Sequence, residues 1–297
     1  MKKTITVLMA QCIMAVCMLA AAPSQISKTV RLNSGYDIPV LGLGTWTLTG
    51  TTCEESVYVA LTAGYRLIDT ARYYGNETAV GKAVARAIHN GICKRSDIFI
   101  TTKIVPWSSS PESDIDDSLQ KLGVEYIDLC LLHQHGSRKT DDNVYKAMIR
   151  GVKEGKIRSI GISNFYTKET VNHFVHDFEI PPSVIQNENH LKYQNKDLYR
   201  WAAQKGIYIE SYYPFGGREH TAEHLHYSTV LQIASAHKKT AAQVIVRWHI
   251  QAGYIAIPGS SNPEHIAENY AVWDFSLSEK EMHILSELDT GKRYETW

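Results

Sequence analysis

The residues best suited to chemistry begin at Asp69. The run Gly64-Tyr65-Arg66-Leu67-Ile68-Asp69 ends its aliphatic stretch in an acid and continues Thr70-Ala71-Arg72-Tyr73-Tyr74. An acid at a strand end with a tyrosine close behind can serve proton transfer, because a carboxyl or phenol held in a cleft can give or take a proton. Alone, such a pair is as readily structural. Other short aliphatic runs end in the same manner, at Lys103, His133, Ser163 with Asn164, Gln186, Tyr212 and Ser260. A single lysine of this kind is usually a solvated charge and a single histidine a hydrogen-bonded structural group; gathered at one mouth, they make a reaction site. His133-Gln134-His135 also places histidines at alternate positions, a spacing that can hold zinc. No further strand-end ligands accompany them and Lys103 would oppose a cation, so no metal is expected.

The elements that must position these groups follow from the hydrophobic pattern. Eight aliphatic runs alternate with helical patterns: 40–44, 67–69, 98–103, 127–133, 157–163, 184–188, 207–211 and 254–257. This alternation predicts an α/β fold, a (β/α)8 TIM barrel, in which the loops after the strands meet over one end. Before it, residues 28–41 alternate around Asn33-Ser34-Gly35 and predict a β-hairpin cap. Ser110-Pro111 and Thr240-Ala241-Ala242-Gln243 read as helix starts, the second followed by Val244, Ile245 and Trp248 at the spacing of one buried face.

With 297 residues and 44% hydrophobic content, the chain is long enough for one barrel. Lys plus Arg equals Asp plus Glu at 31 each, which gives no field to attract nucleic acid. The cysteines at 12, 17, 53, 93 and 130 show neither metal-binding nor disulfide spacing. Residues 1–24 resemble a bacterial secretory signal peptide, with Lys2 and Lys3 before an apolar stretch and small residues at Ala20-Ala21-Ala22. The expectation is a leader over 1–24, a single domain over 25–297, and export to the periplasm with no stable membrane partner once the leader is cleaved. A retained anchor or a downstream start at Met18, which would leave the protein cytoplasmic, are the rivals.

Several segments, in order, resemble the aldo-keto reductase family over residues 28 to about 289, in the manner of bacterial diketogluconate reductases. They are Leu41-Gly42-Leu43-Gly44-Thr45-Trp46, the Asp69–Glu77 stretch, Thr102-Lys103, Asp128-Leu129-Cys130-Leu131-Leu132-His133, Gly161-Ile162-Ser163-Asn164-Phe165, and Ile257-Pro258-Gly259-Ser260 with Glu268-Asn269. The resemblance implies an NAD(P)H-dependent reductase of aldehydes or ketones, acting on a small-molecule carbonyl, with Asp69, Tyr74, Lys103 and His133 as catalytic tetrad. The family offset selects Tyr74 over Tyr73 as proton donor. It further implies cofactor contacts from Gly44, Thr45, Ser163, Asn164, Gln186, Tyr212, Gly216, Ser260, Glu268 and Asn269, with Gly217 beside Gly216, and substrate contacts from Trp46, Trp107 and Gln134. The protein is expected as a monomer or weak dimer. A cofactor-sensing subunit with little turnover is the alternative function, a metal-dependent barrel hydrolase a more remote one.

The residue types suit carbonyl reduction, in which a developing alkoxide must be stabilised and protonated. An ammonium about 4 Å from a phenol would favour the phenolate by roughly 4 kcal/mol at an effective dielectric of about 20, or about three pKa units. Lys103 is therefore expected to lower the Tyr74 pKa, with Asp69 keeping Lys103 charged and neutral His133 donating a hydrogen bond to the substrate oxygen.

The chain departs from the family in three places. NADPH-preferring relatives carry a lysine and an arginine where this chain has Gly259 and His265, so NADH tolerance is expected alongside NADPH use. Gln134-His135 stands where many relatives have Trp-Pro, which makes the pocket more polar and favours a small polar aldehyde, ketose or keto-acid. The short stretch after Asp289 leaves little chain for an enclosing loop.

Overall fold

The structure, a computed structural model, describes residues 27–296; the expected leader lies outside the described residues. The alternating segment closes into a hairpin of β1 (Thr29–Arg31) and β2 (Asp37–Pro39), antiparallel, with Val30 opposite Ile38. Leu32 and Ile38 pack with Leu67, Phe99, Leu129 and Val184, residues near the starts of the barrel strands. The hairpin thus closes the end of the barrel opposite the strands' carboxyl ends.

Eight parallel strands follow: β3 (Leu43–Gly44), β4 (Leu67–Asp69), β5 (Phe99–Ile104), β6 (Ile127–Leu132), β7 (Ile157–Ser163), β8 (Val184–Glu188), β9 (Tyr208–Tyr212) and β10 (Ile255–Ala256). They pair in sequence order. A parallel bridge between Leu41 and Ala256 closes the ring, with the Gly42 N–H donating to Ala256 O at 2.9 Å and the Ala256 N–H to Val40 O at 3.0 Å. β5, β6 and β8 are buried along their whole length, as parallel strands covered by helices must be. Several boundaries move by one or more residues from the aliphatic runs, because the ladder hydrogen bonds and not hydropathy set where a strand stops.

The helix over Ala241–Gln251 starts as expected, with the Gln243 N–H donating to Thr240 Oγ1 at 3.2 Å and the Thr240 N–H to Gln243 Oε1 at 3.0 Å. The helix over Pro111–Leu122 also starts as expected, with Ser110 at the cap position and Pro111 in the first turn, although the Ser110 side chain makes no cap bond. Cys53, Cys93 and Cys130 are buried and free. Among the described residues no helix is long and apolar enough to cross a membrane.

Candidate active site

The carboxyl ends of the strands open into a cavity of about 500 Å³ lined by both apolar and polar groups. Asp69 ends β4, and the chain then tightens into a 3-10 turn over Arg72–Tyr74, closed by Gly75 at φ 67°. The turn separates the two tyrosines. Tyr73 is 62% exposed, whereas the Tyr74 hydroxyl reaches inward to Lys103 Nζ at 3.1 Å.

Lys103, on β5, is wholly buried and donates to Asp69 Oδ1 and Oδ2 at 2.8 and 2.9 Å and to Thr70 O at 3.0 Å. Burial pulls its pKa down, but the Asp69 carboxylate and the Tyr74 oxygen more than reverse that, so the ammonium is retained. Because Lys103 donates to the Tyr74 oxygen, the phenol's own proton is free to point into the cavity.

The expected lowering of the Tyr74 pKa is not found. Burial raises it, and that outweighs the pull of Lys103, whose charge is largely answered by Asp69; Asp69 and Glu210 raise it further. Tyr74 therefore rests as a phenol. His133 follows β6 and stands edge-on to the Tyr74 ring, centroids 5.6 Å apart. Burial, with the Lys103 charge behind it, lowers its pKa to about 3, so it is a neutral imidazole. Its Nδ1 is buried without a partner. Trp46, Trp107 and Gln134 line the cavity, with Trp46 tilted on Tyr74 at 4.7 Å. His135 turns away to Asp141 at 2.7 Å, separating the two histidines. Among the described residues no group of three or more metal-type ligands converges.

The opposite wall carries Ser163, Asn164, Gln186 and Tyr212. Gln186 Nε2 donates to Asp69 Oδ2 at 2.7 Å and Glu210 Oε2 at 2.8 Å, which fixes the amide and leaves its carbonyl oxygen uncommitted. Asn164, at φ 63°, is saturated: its Nδ2 donates to His133 O at 2.9 Å and Ser163 Oγ at 3.3 Å, and its Oδ1 accepts from the Tyr212 and Tyr166 hydroxyls at 2.7 and 3.1 Å. It holds the Tyr212 ring at the wall.

Gly44 and Ser260 line the cavity too. Four expected contacts lie outside its lining. Thr45 is fully buried and donates its hydroxyl to Asp69 O at 2.9 Å, so it braces β4. Gly216 is replaced at the wall by Gly217, since Gly216 packs under His224. Glu268 accepts from the Thr240 hydroxyl at 2.6 Å, and Asn269 is buried behind it on the same helix, Pro263–Tyr270.

A profile of the aldo/keto reductase family matches residues 40–290. The chain belongs to the aldo-keto reductase family. An aldo-keto reductase of Mycolicibacterium smegmatis is 40% identical, covering 90% of this chain and 96% of the relative. The NAD(P)H-dependent D-xylose reductase I,II of Candida tropicalis is 34% identical over 90% of this chain and 94% of its own. The crystal structure of a Bombyx mori aldo-keto reductase in complex with NADP superposes with a TM-score of 0.82 at 30% identity, covering 89% of this chain and 94% of that one.

In this aldo-keto reductase several site groups escaped the strand-end reading. Glu210 is fully buried in β9, tied to Asp69 through Gln186, with its Oε1 unpartnered. Burial first, and Asp69 second, push its pKa up to about 8. The signal was an acid directly after the apolar run Ile207-Tyr208-Ile209, two positions before Tyr212 and so on the same side of the strand. Asn76 joins two loops: its Nδ2 donates to Thr45 O and Leu48 O at 3.0 and 2.9 Å, and its Oδ1 accepts from the Thr70 hydroxyl at 2.6 Å. Arg218 crosses the mouth to Thr47 Oγ1 at 2.6 Å. Asn76 and Arg218 carry no sequence signal, because their roles depend on which loops meet.

The departure at Gly259 is built into the barrel closure. A Cβ there would stand 2.9 Å from Gly44 O, and one on Gly44 would stand 2.7 Å from Ile257 O. Two backbones meet where a side chain would need room.

Proposed function

We propose that this chain reduces aldehydes or ketones to alcohols with NADH or NADPH, the proton coming from Tyr74. The observation that carries this is the Asp69–Lys103–Tyr74 chain ending at the cavity beside neutral His133. When bound, the reduced nicotinamide supplies the hydride to the carbonyl carbon. Tyr74 Oη holds the transferable proton, and Lys103, lending a hydrogen bond to that oxygen, stabilises the phenolate left behind. His133, uncharged, is a hydrogen-bond donor toward the carbonyl oxygen.

The opposite wall fits the cofactor's carboxamide on its own donor set: the Gln186 carbonyl oxygen is an open acceptor, the Ser163 hydroxyl is a donor with no acceptor of its own, and Tyr212 offers a ring face. Arg218 is the only lysine or arginine among the lining residues and suits a phosphate. The NADP of the Bombyx mori complex and the NAD(P)H of the Candida tropicalis enzyme support nicotinamide use here. The D-xylose named for the latter supports a small polar carbonyl substrate.

The test is to express residues 25–297 and follow NADH and NADPH oxidation at equal concentration against aldehydes, ketoses and keto-acids. Turnover of at least one carbonyl with either nucleotide is expected; binding without turnover would favour the cofactor-sensing alternative, and strict NADPH use would defeat the expected NADH tolerance. Residues 1–24 are proposed as an export leader. Cell fractionation with N-terminal sequencing of the mature protein tests that, an intact Met1 in the cytoplasm overturning it.

A further inference from the structure

Glu188 ends β8 with its side chain fully buried, and the far end of the chain occupies its oxygens. Oε1 accepts the backbone N–H of Tyr294 at 2.6 Å and Oε2 that of Glu295 at 2.8 Å, from 106 and 107 positions away. His190 Nδ1 accepts the Lys192 N–H at 3.2 Å, so its proton sits on Nε2 and is donated to Glu188 Oε1 at 2.9 Å. A buried carboxylate is tolerated where its lone pairs are met in this way, and two of the three donors here belong to the C-terminal segment. The segment after Asp289, though short, is therefore gripped by the barrel itself.

That grip places the Tyr294 ring between two histidines. It stacks on His190 with centroids 4.7 Å apart at 20°, and on His220 at 3.7 Å and 17°. Its hydroxyl stands 3.2 Å from His224 Nε2. His220 and His224 belong to the helix Gly217–Leu225, which supplies Gly217, Arg218 and Thr221 to the cavity. Gly216, where that helix begins, has no room for a side chain: a Cβ would come within 2.7 Å of His224 Nε2 and 3.1 Å of the Tyr294 ring. On the other side, the Arg293 guanidinium lies over Tyr166, 4.0 Å from its centroid, and the Tyr166 hydroxyl bonds to Asn164 and Tyr212.

We propose that Glu188 and Tyr294 are positioning residues for the nicotinamide cofactor: Glu188 grips the C-terminal segment, and Tyr294, wedged between His190 and His220, holds the helix Gly217–Leu225 against the cavity. The inference rests on the cofactor placement argued above. Nothing in it requires either residue to touch the cofactor, so its signature is in holding the nucleotide and not in the chemical step.

The experiment compares the 25–297 enzyme with a deletion of residues 294–297, Tyr294→Ala, Tyr294→Phe, Glu188→Gln, and Glu188→Gln combined with the deletion. Dissociation of NADH and NADPH is read by stopped-flow fluorescence, kcat separately, and hydrogen exchange of residues 217–225 without cofactor. The deletion and Tyr294→Ala are expected to release nucleotide about tenfold faster, the loss of two aromatic stacks, while Tyr294→Phe keeps the stacks and stays within about twofold. Exchange in 217–225 rises in the first two, kcat does not fall, and the combined variant is no worse than the deletion because both cut the same link. Wild-type release and exchange in the deletion variant would overturn the proposal, as would additive effects in the combined variant. If the unaltered enzyme binds neither nucleotide, the cofactor reading fails and takes the inference with it; if it binds and the deletion changes nothing, only the inference fails. Tyr294→Ala keeps both backbone donors to Glu188, so the test survives on that variant should the deletion or Glu188→Gln not fold.

Discussion

The Tyr74 hydroxyl accepts a hydrogen bond from Lys103 at 3.1 Å, and the same ammonium is gripped by both oxygens of Asp69. The consequence is a division of labour. Asp69 cancels much of the ammonium's field, so Tyr74 keeps its proton at rest, while the hydrogen bond from Lys103 is in place to receive the charge that develops when the proton leaves. Replacing Tyr74 with Phe removes the proton and leaves the ring against Trp46. We expect kcat to fall by about 10²- to 10⁴-fold with little change in thermal stability, the usual span for a positioned acid; activity within a few-fold of the parent enzyme would reassign the donor.

Lys103 and Asp69 are a buried pair, with side-chain exposures of 1% and 4%. Lys103→Met strands the Asp69 carboxylate in the barrel, and a loss of about 3–5 kcal/mol is expected by urea unfolding. Adding Asp69→Asn should return a large part of it, since the uncompensated charge is the main cost. A single variant as stable as the parent would show that the pair is open to water.

Three histidines are held neutral by burial: His133 and His224 at about 3 and His249 at about 4, all below the ordinary 6.5. The unfolded chain takes up these protons first as pH falls, so their contribution is fully present above pH 6.5 and is lost progressively as pH falls through about 4 for His249 and about 3 for His133 and His224. The urea midpoint should fall between pH 7 and pH 5, and His249→Gln should flatten that slope. His133 should add no step near pH 6.5 to the pH profile of kcat/KM. A pH dependence that His249→Gln leaves unaltered would contradict a buried neutral imidazole at that position.

Glu210 gives the opposite sign. Its pKa rises from the ordinary 4.5 to about 8 in the folded protein, so its contribution is present below pH 4.5 and is lost as pH rises through 8. Glu210→Gln removes the titration while keeping an acceptor for Gln186. Relative to the parent, its stability should improve steadily from pH 5 to pH 8.5; a difference that does not vary with pH would mean that Glu210 is ionised throughout.

Asn76 pins the loop after β3 to the loop after β4. Asn76→Ala leaves the Leu48 carbonyl and the Thr70 hydroxyl without their partner, at a cost of about 1–3 kcal/mol per buried group. Because Trp46 and Tyr74 flank this junction, KM for the carbonyl should rise along with the loss in melting temperature. Loss of stability with an unaltered KM would confine Asn76 to the scaffold.

The barrel and most of the reacting groups were legible in the order of the residues. Eight aliphatic runs alternating with helical patterns point to the strands of a covered parallel sheet, with Asp69, Lys103, His133 and Ser163 at or beside their carboxyl ends and Gln186 within β8, and the family resemblance supplied their roles. Tyr74 was separable from Tyr73 only by family offset, because the 3-10 turn that faces them apart has no hydropathic signature. The tertiary structure decided what depends on distances between segments far apart in sequence. The resting proton of Tyr74 follows from how completely Asp69 answers Lys103 across two strands. The retirement of Thr45 from the cavity follows from its bond to Asp69, and the pinning of Asn164 from four partners on three elements. Glu188 reads in sequence as one more acid after Gln186; only folding brings the backbone of Tyr294 and Glu295 to it, because a hydrogen bond carries no trace in either partner's local pattern.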